Sequence, residues 1–184
     1  MATLTTNLNY LQPTSFKLGI SRTNYPNLEF FCQSVSHPGM YMNSVETPYK
    51  KLQGIPIPGD KLTFNELTAN IILDENMTSY EEMYKWIRRI LDTNMGGNIR
   101  GMTIGDSHYA DLTLHILNSS NNLVKQIVYK DCVPTSLGDV SLESTGTGTE
   151  YIVYTASFRF SYFELKSVDA SGAITDSFTV TQTL

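Results

Sequence analysis

The fold is decided by residues 59–87, which have the sequence GDKLTFNELTANIILDENMTSYEEMYKWI. Gly59 and Asp60 predict a turn, and the residues after it alternate between apolar and polar types, as in a half-buried strand. The apolar positions of that strand are Leu67, Ala69, Ile71 and Leu73. A second turn is predicted at 74–76, where the alternation stops, and a helix is expected to follow it.

One helix is predicted at about 78–94, and its sequence marks both ends. A capping box is expected at the start, where two side chains each bond to the backbone amide of the other residue. The candidate pairs are Thr78 with Glu81 and Ser79 with Glu82. Gly96 and Gly97 end the helical pattern.

The helix has one apolar and one charged side. Its apolar stripe consists of Tyr80, Met83, Tyr84, Ile87, Ile90 and Leu91. Residues at this spacing share a face, so the stripe is expected to pack on the rest of the domain. Trp86 lies beside the stripe and is expected to be at least partly buried. The candidates for an outward face are Glu82, Lys85 and Arg89.

Elsewhere the pattern is typical of strands. Alternation occurs at 16–20, 28–32 and 110–116, and 123–129 follows a turn-rich loop that predicts a hairpin. Another strand is expected to begin at Val140, and residues 151–163 form one long alternation. Many strands with one helix predict a mainly β (α+β) fold, an antiparallel β-barrel or sandwich of two packed sheets with a flanking helix.

A long arm is predicted at 38–59, because prolines and glycines interrupt this segment while its apolar content is too high for a disordered linker. The arm becomes buried either on a neighbouring subunit, which we favour, or over its own core. The candidates for inter-subunit contact are Met40, Tyr41, Met42, Val45, Tyr49, Leu52, Ile55 and Ile57.

The chain of 184 residues is expected to form a single domain. Its core is placed at about 14–164, between an N-terminal arm at 1–13 and a C-terminal extension at 165–184. The extension contains a segment of strand character around Phe178, which could pair within its own sheet or with a neighbour's.

The net charge of −5 gives no reason to expect a basic surface that binds nucleic acid or anionic membranes. No apolar run is long enough to span a bilayer, and the first ten residues lack the pattern of a secretory signal. Cys32 and Cys132 are the two cysteines, and both are expected to be free thiols in a reducing compartment.

No catalytic, cofactor-binding or metal-binding site is predicted. Asp106, Ser107 and His108 are consecutive, whereas a catalytic triad needs side chains that a fold brings together. The glycine-rich segment 145–149 lacks the lysine of a phosphate-binding loop, and the histidines match no metal pattern. The adjacent carboxylates Asp74 and Glu75 are expected to cap or turn the chain, or to pair with a Lys or Arg of a neighbouring subunit.

Four motifs, in this order, resemble the tail tube proteins of contractile bacteriophages. They are Phe16-Lys17-Leu18 with Cys32-Gln33-Ser34-Val35-Ser36-His37-Pro38-Gly39, the 59–87 stretch, Lys130-Asp131-Cys132-Val133-Pro134-Thr135-Ser136-Leu137-Gly138-Asp139, and the aromatic segment 154–164. The third motif resembles a Pro-Thr and Gly-acid turn of that family. The resemblance spans about 14–164, and it extends to baseplate tube-initiator proteins and to the inner tubes of type VI secretion.

The resemblance implies a structural role without enzymatic activity or a cofactor. Homohexameric rings would stack into a hollow tube in the virion, assembled in the host cytoplasm, with tail sheath, baseplate and tail terminator proteins as partners. DNA would pass through the lumen without specific binding, past a wall of zero or negative charge. The lumen candidates are Asp111, Asp139 and Glu143. The alternatives are a tube-initiator or hub-proximal ring protein and, more distantly, a monomeric ligand-binding β-domain.

Overall fold

The computed structural model describes residues 9–20, 32–49, 52–94, 109–144, 151–169 and 172–178. Within these residues the chain forms ten strands and one helix. In chain order they are β1 (Phe16–Gly19), β2 (Cys32–Ser36), β3 (Met40–Tyr49), β4 (Leu52–Phe64), β5 (Leu67–Ile72), α1 (Thr78–Asn94), β6 (Ala110–Leu117), β7 (Leu123–Leu137), β8 (Val153–Arg159), β9 (Tyr162–Val168) and β10 (Ile174–Phe178).

Eight of the strands form two antiparallel sheets that share β7. Sheet 1 has the order β1-β6-β7-β9-β10, and sheet 2 has the order β2-β5-β8-β7. The first half of β7 pairs with β6 and β9, and its second half pairs with β8. Between the halves, Asp131 has a φ of 55°, a left-handed conformation that redirects the strand from one sheet to the other.

The two sheets pack their apolar faces together around one core. Sheet 1 contributes Leu18, Leu112, Leu114, Ile127 and Tyr129, and sheet 2 contributes Leu67, Ala69, Ile71, Tyr154, Ala156 and Phe158. The helix adds Met83 and Trp86 to the same cluster. The predicted fold class, two packed antiparallel sheets with a flanking helix, is therefore confirmed.

The helix has the predicted bounds. Asp74, one of the two carboxylates expected to cap or turn the chain, caps it in place of the predicted capping boxes. The carboxylate of Asp74 accepts hydrogen bonds from the backbone amides of Thr78, at 3.1 Å, and Ser79, at 3.2 Å. These are the amides that Glu81 and Glu82 would have satisfied. Glu81 instead pairs with Lys85 at 2.7 Å. Desolvation raises the pKa of the Asp74 carboxyl, but the hydrogen bonds outweigh it and lower the pKa from 3.8 to about 2.

The buried face of the helix is rotated about the helix axis relative to the predicted apolar stripe. Met83 and Trp86 are fully buried, as expected for Trp86, and the Trp86 ring lies 5.9 Å from that of Phe158. Tyr84 and Leu91, which the stripe included, are more than half exposed. The prediction was wrong at these two positions because the spacing of apolar residues does not specify the centre of the buried face to better than about one residue.

The long closing strand predicted at 151–163 is in fact two strands. β8 ends at Arg159, and β9 begins at Tyr162 after the Ser161 amide donates to the Lys130 carbonyl oxygen at 3.0 Å. The break lets the chain leave sheet 2 and join sheet 1. Even-numbered residues are buried in β8, as at Phe158, whereas after the break Phe163 is buried and Tyr162 is only half-buried.

Three predicted local features are also corrected. Gly59 and Asp60 lie inside β4, because β3 pairs alongside them, and they form no turn. Pro134 lies inside β7 and not in the predicted Pro-Thr turn. β7 is an edge strand of sheet 2, and Pro134 stands beside a register shift in its pairing with β8. Edge strands and register shifts are the places where a sheet tolerates the missing N–H donor of proline. The strand predicted to begin at Val140 does not form, since the chain beyond β7 has no strand partner among the described residues.

The C-terminal extension pairs within its own sheet, where β10 lies along β9. Cys32 and Cys132 are both free thiols, as predicted, and Cys132 is buried. The predictions for 1–8, 28–31, 96–97, 106–108 and 145–149 lie outside the described residues.

Trp86→Ala is expected to cost about 3–5 kcal/mol in the free energy of unfolding, because it leaves a cavity beside Phe158. Tyr84→Ala is the control, since Tyr84 is an aromatic residue of the same helix that is 52% exposed. It should change stability by less than about 0.5 kcal/mol. Urea unfolding of both variants measures the difference, and equal losses would contradict the described helix orientation.

Asp74→Ala is expected to destabilise the domain by about 0.5–2 kcal/mol at neutral pH, because two helix amides lose their acceptor. The lowered pKa of Asp74 means that its contribution is present above pH 4 and is lost as the pH falls toward 2. The difference between wild type and variant should therefore shrink over that range. Glu75→Ala, at the exposed neighbour, is the control, and an equal effect there would exclude capping by Asp74.

Candidate assembly surfaces

The predicted arm is a long β-hairpin, formed by β3 and β4, which we call the hairpin arm. Its strands pair with each other and, among the described strands, with no other. The register runs from Met40 opposite Phe64 to Tyr49 opposite Leu52. An isolated two-stranded hairpin has marginal stability in water, so this one depends on contacts at its root or along its length.

The arm exposes most of its large apolar side chains. Val45 is 63% exposed and faces Ile57 in the register, which is itself nearly half exposed. The other exposed members are Met40, Tyr41, Met42, Ile55 and Leu62. Tyr49 and Leu52, the remaining predicted contacts, lie at the strand ends. An apolar surface on a strand pair without a covering element is typical of an interaction site.

The root of the arm is fixed by an aromatic cluster. The Phe64 ring lies 5.4 Å from Phe160 and 5.6 Å from Phe163. His37, just before the arm, lies 5.3 Å from Phe163, and its Nδ1 is 2.6 Å from the hydroxyl of buried Tyr129. Desolvation lowers the pKa of His37, which favours the neutral imidazole in this contact. These contacts hold the arm at a defined place beside the core.

Close backbone approach shapes the middle of the arm. A Cβ atom at Gly59 would lie 1.9 Å from the carbonyl oxygen of Asn43, so only glycine fits there. This contact lies where the register between β3 and β4 shifts, beside Ser44 and Pro58. The regular pairing of the two strands is therefore interrupted at a fixed position in the arm.

The helix residues predicted to face outward differ in exposure. Lys85 is exposed and forms an i,i+4 ion pair with Glu81, whereas Glu82 and Arg89 are half-buried. Such an exposed pair contributes little to stability, so its place on the surface is compatible with either solvent or a partner.

The outer face of sheet 2 carries two rows of uncharged polar side chains, which we call the hydroxyl rows. Directly paired residues of an antiparallel ladder point to the same face, so the register defines each row. One row consists of Ser36, Thr68, Ser157 and Ser136. The other consists of Ser34, Asn70 and Thr155.

Hydrogen bonds connect the second row across three strands. The Asn70 Nδ2 donates to Ser34 Oγ at 2.9 Å, and the Thr155 Oγ1 donates to Asn70 Oδ1 at 2.8 Å. At the end of this row the Gly138 amide donates to the Thr155 carbonyl oxygen at 2.7 Å. The row is thus a preformed, uncharged polar surface.

The outer face of sheet 1 is charged instead. Lys130 and Asp111 form an ion pair at 2.5 Å, and the hydrogen bond from Lys130 to Asp111 raises the pKa of the lysine. Lys166 and Glu164 form a second pair at 3.0 Å. One row across this sheet contains Lys17, His115, Gln126 and Lys166. The two sheets therefore present chemically different surfaces.

The structure separates the three lumen candidates. Asp111 lies on the charged outer face of sheet 1, where Lys130 neutralises it. Asp139 and Glu143 are exposed beyond the end of β7, and Asp139 directly follows Gly138 at the end of the second hydroxyl row. No single surface brings Asp111 together with the other two.

Two features were missed in the sequence. The arm was predicted to end at residue 59, but Leu62 also belongs to its exposed apolar surface. The polar residues Lys61 and Thr63 on either side of Leu62 were a signal that a strand continues there. The hydroxyl rows also had a signal, since small polar residues recur at every second position of β2, β5 and β8. Their alignment across strands depends on register, which a single strand pattern does not specify.

Among the described residues, no group of three or more His, Cys, Asp or Glu side chains is placed to hold a metal ion. No helix in the described part of the chain has the length and apolar character needed to span a membrane.

The chain is similar in sequence to the tail tube terminator protein of Enterobacteria phage T4. The two are 26% identical over 163 residues, which cover 86% of this chain and 90% of the T4 protein.

The fold is similar to that of solved components of contractile injection systems. A chain of the tube terminating cap of the anti-feeding prophage has a TM-score of 0.62 at 12% identity, covering 90% of this chain and 97% of that one. A chain of the sheath-tube complex of the PVC extracellular contractile injection system has a TM-score of 0.61 at 15% identity, with coverages of 88% and 94%. At these identities the similarity establishes the fold alone.

The family model described as phage tail tube protein matches residues 3–166. This match includes both sheets' shared strand, the helix and the whole hairpin arm, and it spans most of the 184 residues. The chain therefore belongs to the phage tail tube protein family.

Proposed function

We propose that this chain is a ring-forming structural subunit of a contractile phage tail tube. Hexameric rings of it would stack into a hollow conduit through which DNA leaves the capsid. The proposal rests on one observation above all: a member of the tail tube family carries a rigidly rooted hairpin arm whose apolar side chains are exposed in the single chain.

A second copy of the chain is the expected cover for this arm. Exposed apolar surface is unfavourable in water at about 25 cal/mol per Å², so burial of the arm would favour association. The contacts of Phe64 with Phe160 and Phe163 fix the root, which opposes the alternative in which the arm folds back over its own core. An arm on one surface that binds another surface of the next copy is a heterologous contact, which generates rings or filaments.

The role that follows is mechanical. The protein would be a virion component without a reaction or cofactor, assembled in the host cytoplasm. Neighbouring tube subunits, the tail sheath, the baseplate and tail terminator proteins would be its partners. Lys85, exposed on α1, is a candidate for the surface that faces the sheath.

A specific observation favours a second candidate function, that of the ring that ends the tube. The T4 relative, aligned over 90% of its length, is named as a tail tube terminator. A terminator would use the same ring geometry but would not add further copies of itself. The baseplate tube-initiator, which would also form a ring, is the corresponding alternative at the opposite end.

Electron microscopy of the purified protein distinguishes these functions. We expect closed rings with a central hole in every case, because the arm joins neighbouring copies. Long stacked tubes would identify a tube subunit, and rings that remain single would identify a terminator or initiator. A protein that stays monomeric at high concentration would contradict the proposal and favour the ligand-binding β-domain.

The double variant Val45→Lys, Ile57→Glu is expected to abolish assembly. It replaces two exposed apolar residues that face each other across the hairpin with an opposite-charge pair, which supports strand pairing by roughly 0.2–1 kcal/mol. The variant should therefore remain folded, with unchanged circular dichroism and thermal unfolding, but sediment as a monomer in analytical ultracentrifugation.

Glu46→Gln is the matched control, because Glu46 is exposed and adjacent to Val45 but points to the other face of β3. It should assemble like wild type. Rings formed equally by the double variant and the control would show that the apolar side of the arm has no role in assembly.

A further inference from the structure

We infer that the hydroxyl rows of sheet 2 line the channel of the ring, so that the nucleic acid passes over an uncharged and hydrated wall. This inference rests on the proposed function, and it identifies the surface of the chain that meets the DNA. The alternative surface is the charged outer face of sheet 1. The choice between them follows from their chemistry and from the position of the helix.

The hydroxyl rows contain no ionisable group. Their members are Ser34, Ser36, Thr68, Asn70, Ser136, Thr155 and Ser157, which lie in register across all four strands of sheet 2. A duplex has closely spaced phosphates that bind basic surfaces through the release of counterions. A wall without cations gives the phosphates of the duplex no basic binding site. Repeating this wall around a ring adds no such site either.

The polar groups of this face also have internal partners. The hydrogen bonds from Asn70 to Ser34 and from Thr155 to Asn70 join three strands. The Thr135 hydroxyl similarly donates to the Ser157 carbonyl oxygen at 3.2 Å. Donors and acceptors that are already paired have less to gain from bonds to passing phosphates, whereas the wall remains wettable.

The charged groups that border the rows do not make the face basic. Arg159 is exposed at the end of β8, Glu66 is exposed just before β5, and Asp139 is exposed beyond β7. One positive and two negative charges give a local sum of −1. Asp139 thus keeps its predicted association with the lumen as a residue at the margin of the rows, whereas Asp111 belongs to the other sheet.

The outer face of sheet 1 is less suited to a sliding contact. It carries Lys17, Lys130 and Lys166, and a ring would multiply these cations around the hole. Lys130 pairs with Asp111 and Lys166 pairs with Glu164, but phosphates could compete with these carboxylates for the lysines.

The helix lies on the opposite side of sheet 2 from the hydroxyl rows. Trp86 packs on Phe158, and Tyr80 lies 5.4 Å from Tyr154, both on the core face of β8. The rows therefore face away from the helix, and Ser34, Ser36, Ser136 and Thr155 are exposed in the single chain. Facing the rows inward places the helix, with exposed Lys85, toward the outside of the ring.

Cysteine labelling of the assembled particle tests this assignment. Thr155→Cys probes the hydroxyl rows, Lys17→Cys probes the outer face of sheet 1, and Lys85→Cys probes the helix. Each particle is treated with a small fluorescent maleimide or with a maleimide on a long polyethylene glycol chain that is too bulky to enter a duplex-sized channel. Ser136→Cys replaces Thr155→Cys if that variant does not fold.

The native thiols give little background in this experiment. Burial raises the pKa of Cys32 to about 11 and that of Cys132 to about 12, so both are almost entirely protonated at neutral pH. The unsubstituted protein, treated in parallel, measures the remaining reaction.

We expect Thr155→Cys to react with the small reagent and to lose labelling by the bulky one on assembly, while Lys85→Cys reacts with both. Reaction of Thr155→Cys with both reagents, or with neither, would overturn the assignment while leaving the ring intact. Size-selective protection of Lys17→Cys instead would assign the channel to sheet 1. A protein that forms no ring would overturn the proposed function, and this inference with it.

Discussion

Phe64, at the end of the hairpin arm, packs its ring against Phe160 and Phe163, beside the buried Tyr129. This aromatic cluster lies where the chain passes from sheet 2 into sheet 1, since Phe160 stands between β8 and β9 and Phe163 pairs with Tyr129. The same contacts therefore fill the core and fix the root of the arm. Without them the arm would be a two-stranded hairpin of marginal stability and undefined direction.

The shared strand β7 organises the surfaces that surround this cluster. Because it bends at Asp131, its first half completes a charged sheet and its second half completes the sheet that carries the uncharged hydroxyl rows. One domain thereby presents an exposed apolar arm, a charged face and a face with rows of uncharged polar side chains. The proposed role as a tube subunit would need surfaces of different chemistry, since such a subunit would bind its own copies strongly and DNA weakly.

Much of this fold could be predicted from local patterns, and the exceptions have physical causes. The helix was predictable because the periodicity, the acidic first turn and the following glycines agree over a long segment. Asp74 was expected to cap or turn the chain, but its partners were not predictable, because Asp74 reaches the amides of Thr78 and Ser79 only through a turn in which Met77 has a φ of 55°. That conformation is uncommon for methionine and has no signal in the sequence.

The candidate surfaces were predictable to different degrees. The apolar composition of the arm identified Val45 and Ile57, whereas its hairpin form depends on long-range pairing that continues to Phe64. The division between β8 and β9 depends on which half of β7 each strand joins, so the alternation around Phe160 suggested one strand. The hydroxyl rows emerge only when three registers align Ser34, Asn70 and Thr155.

A cryo-electron microscopy structure of the assembled protein tests most directly whether the hairpin arm joins neighbouring copies, because it shows the environment of the arm in the particle. We expect closed rings in which Val45 and Ile57 of each copy are buried against a neighbouring copy, with the hydroxyl rows bordering the hole. Rings in which both side chains remain exposed to solvent would contradict this expectation, because the apolar arm would then have no part in assembly.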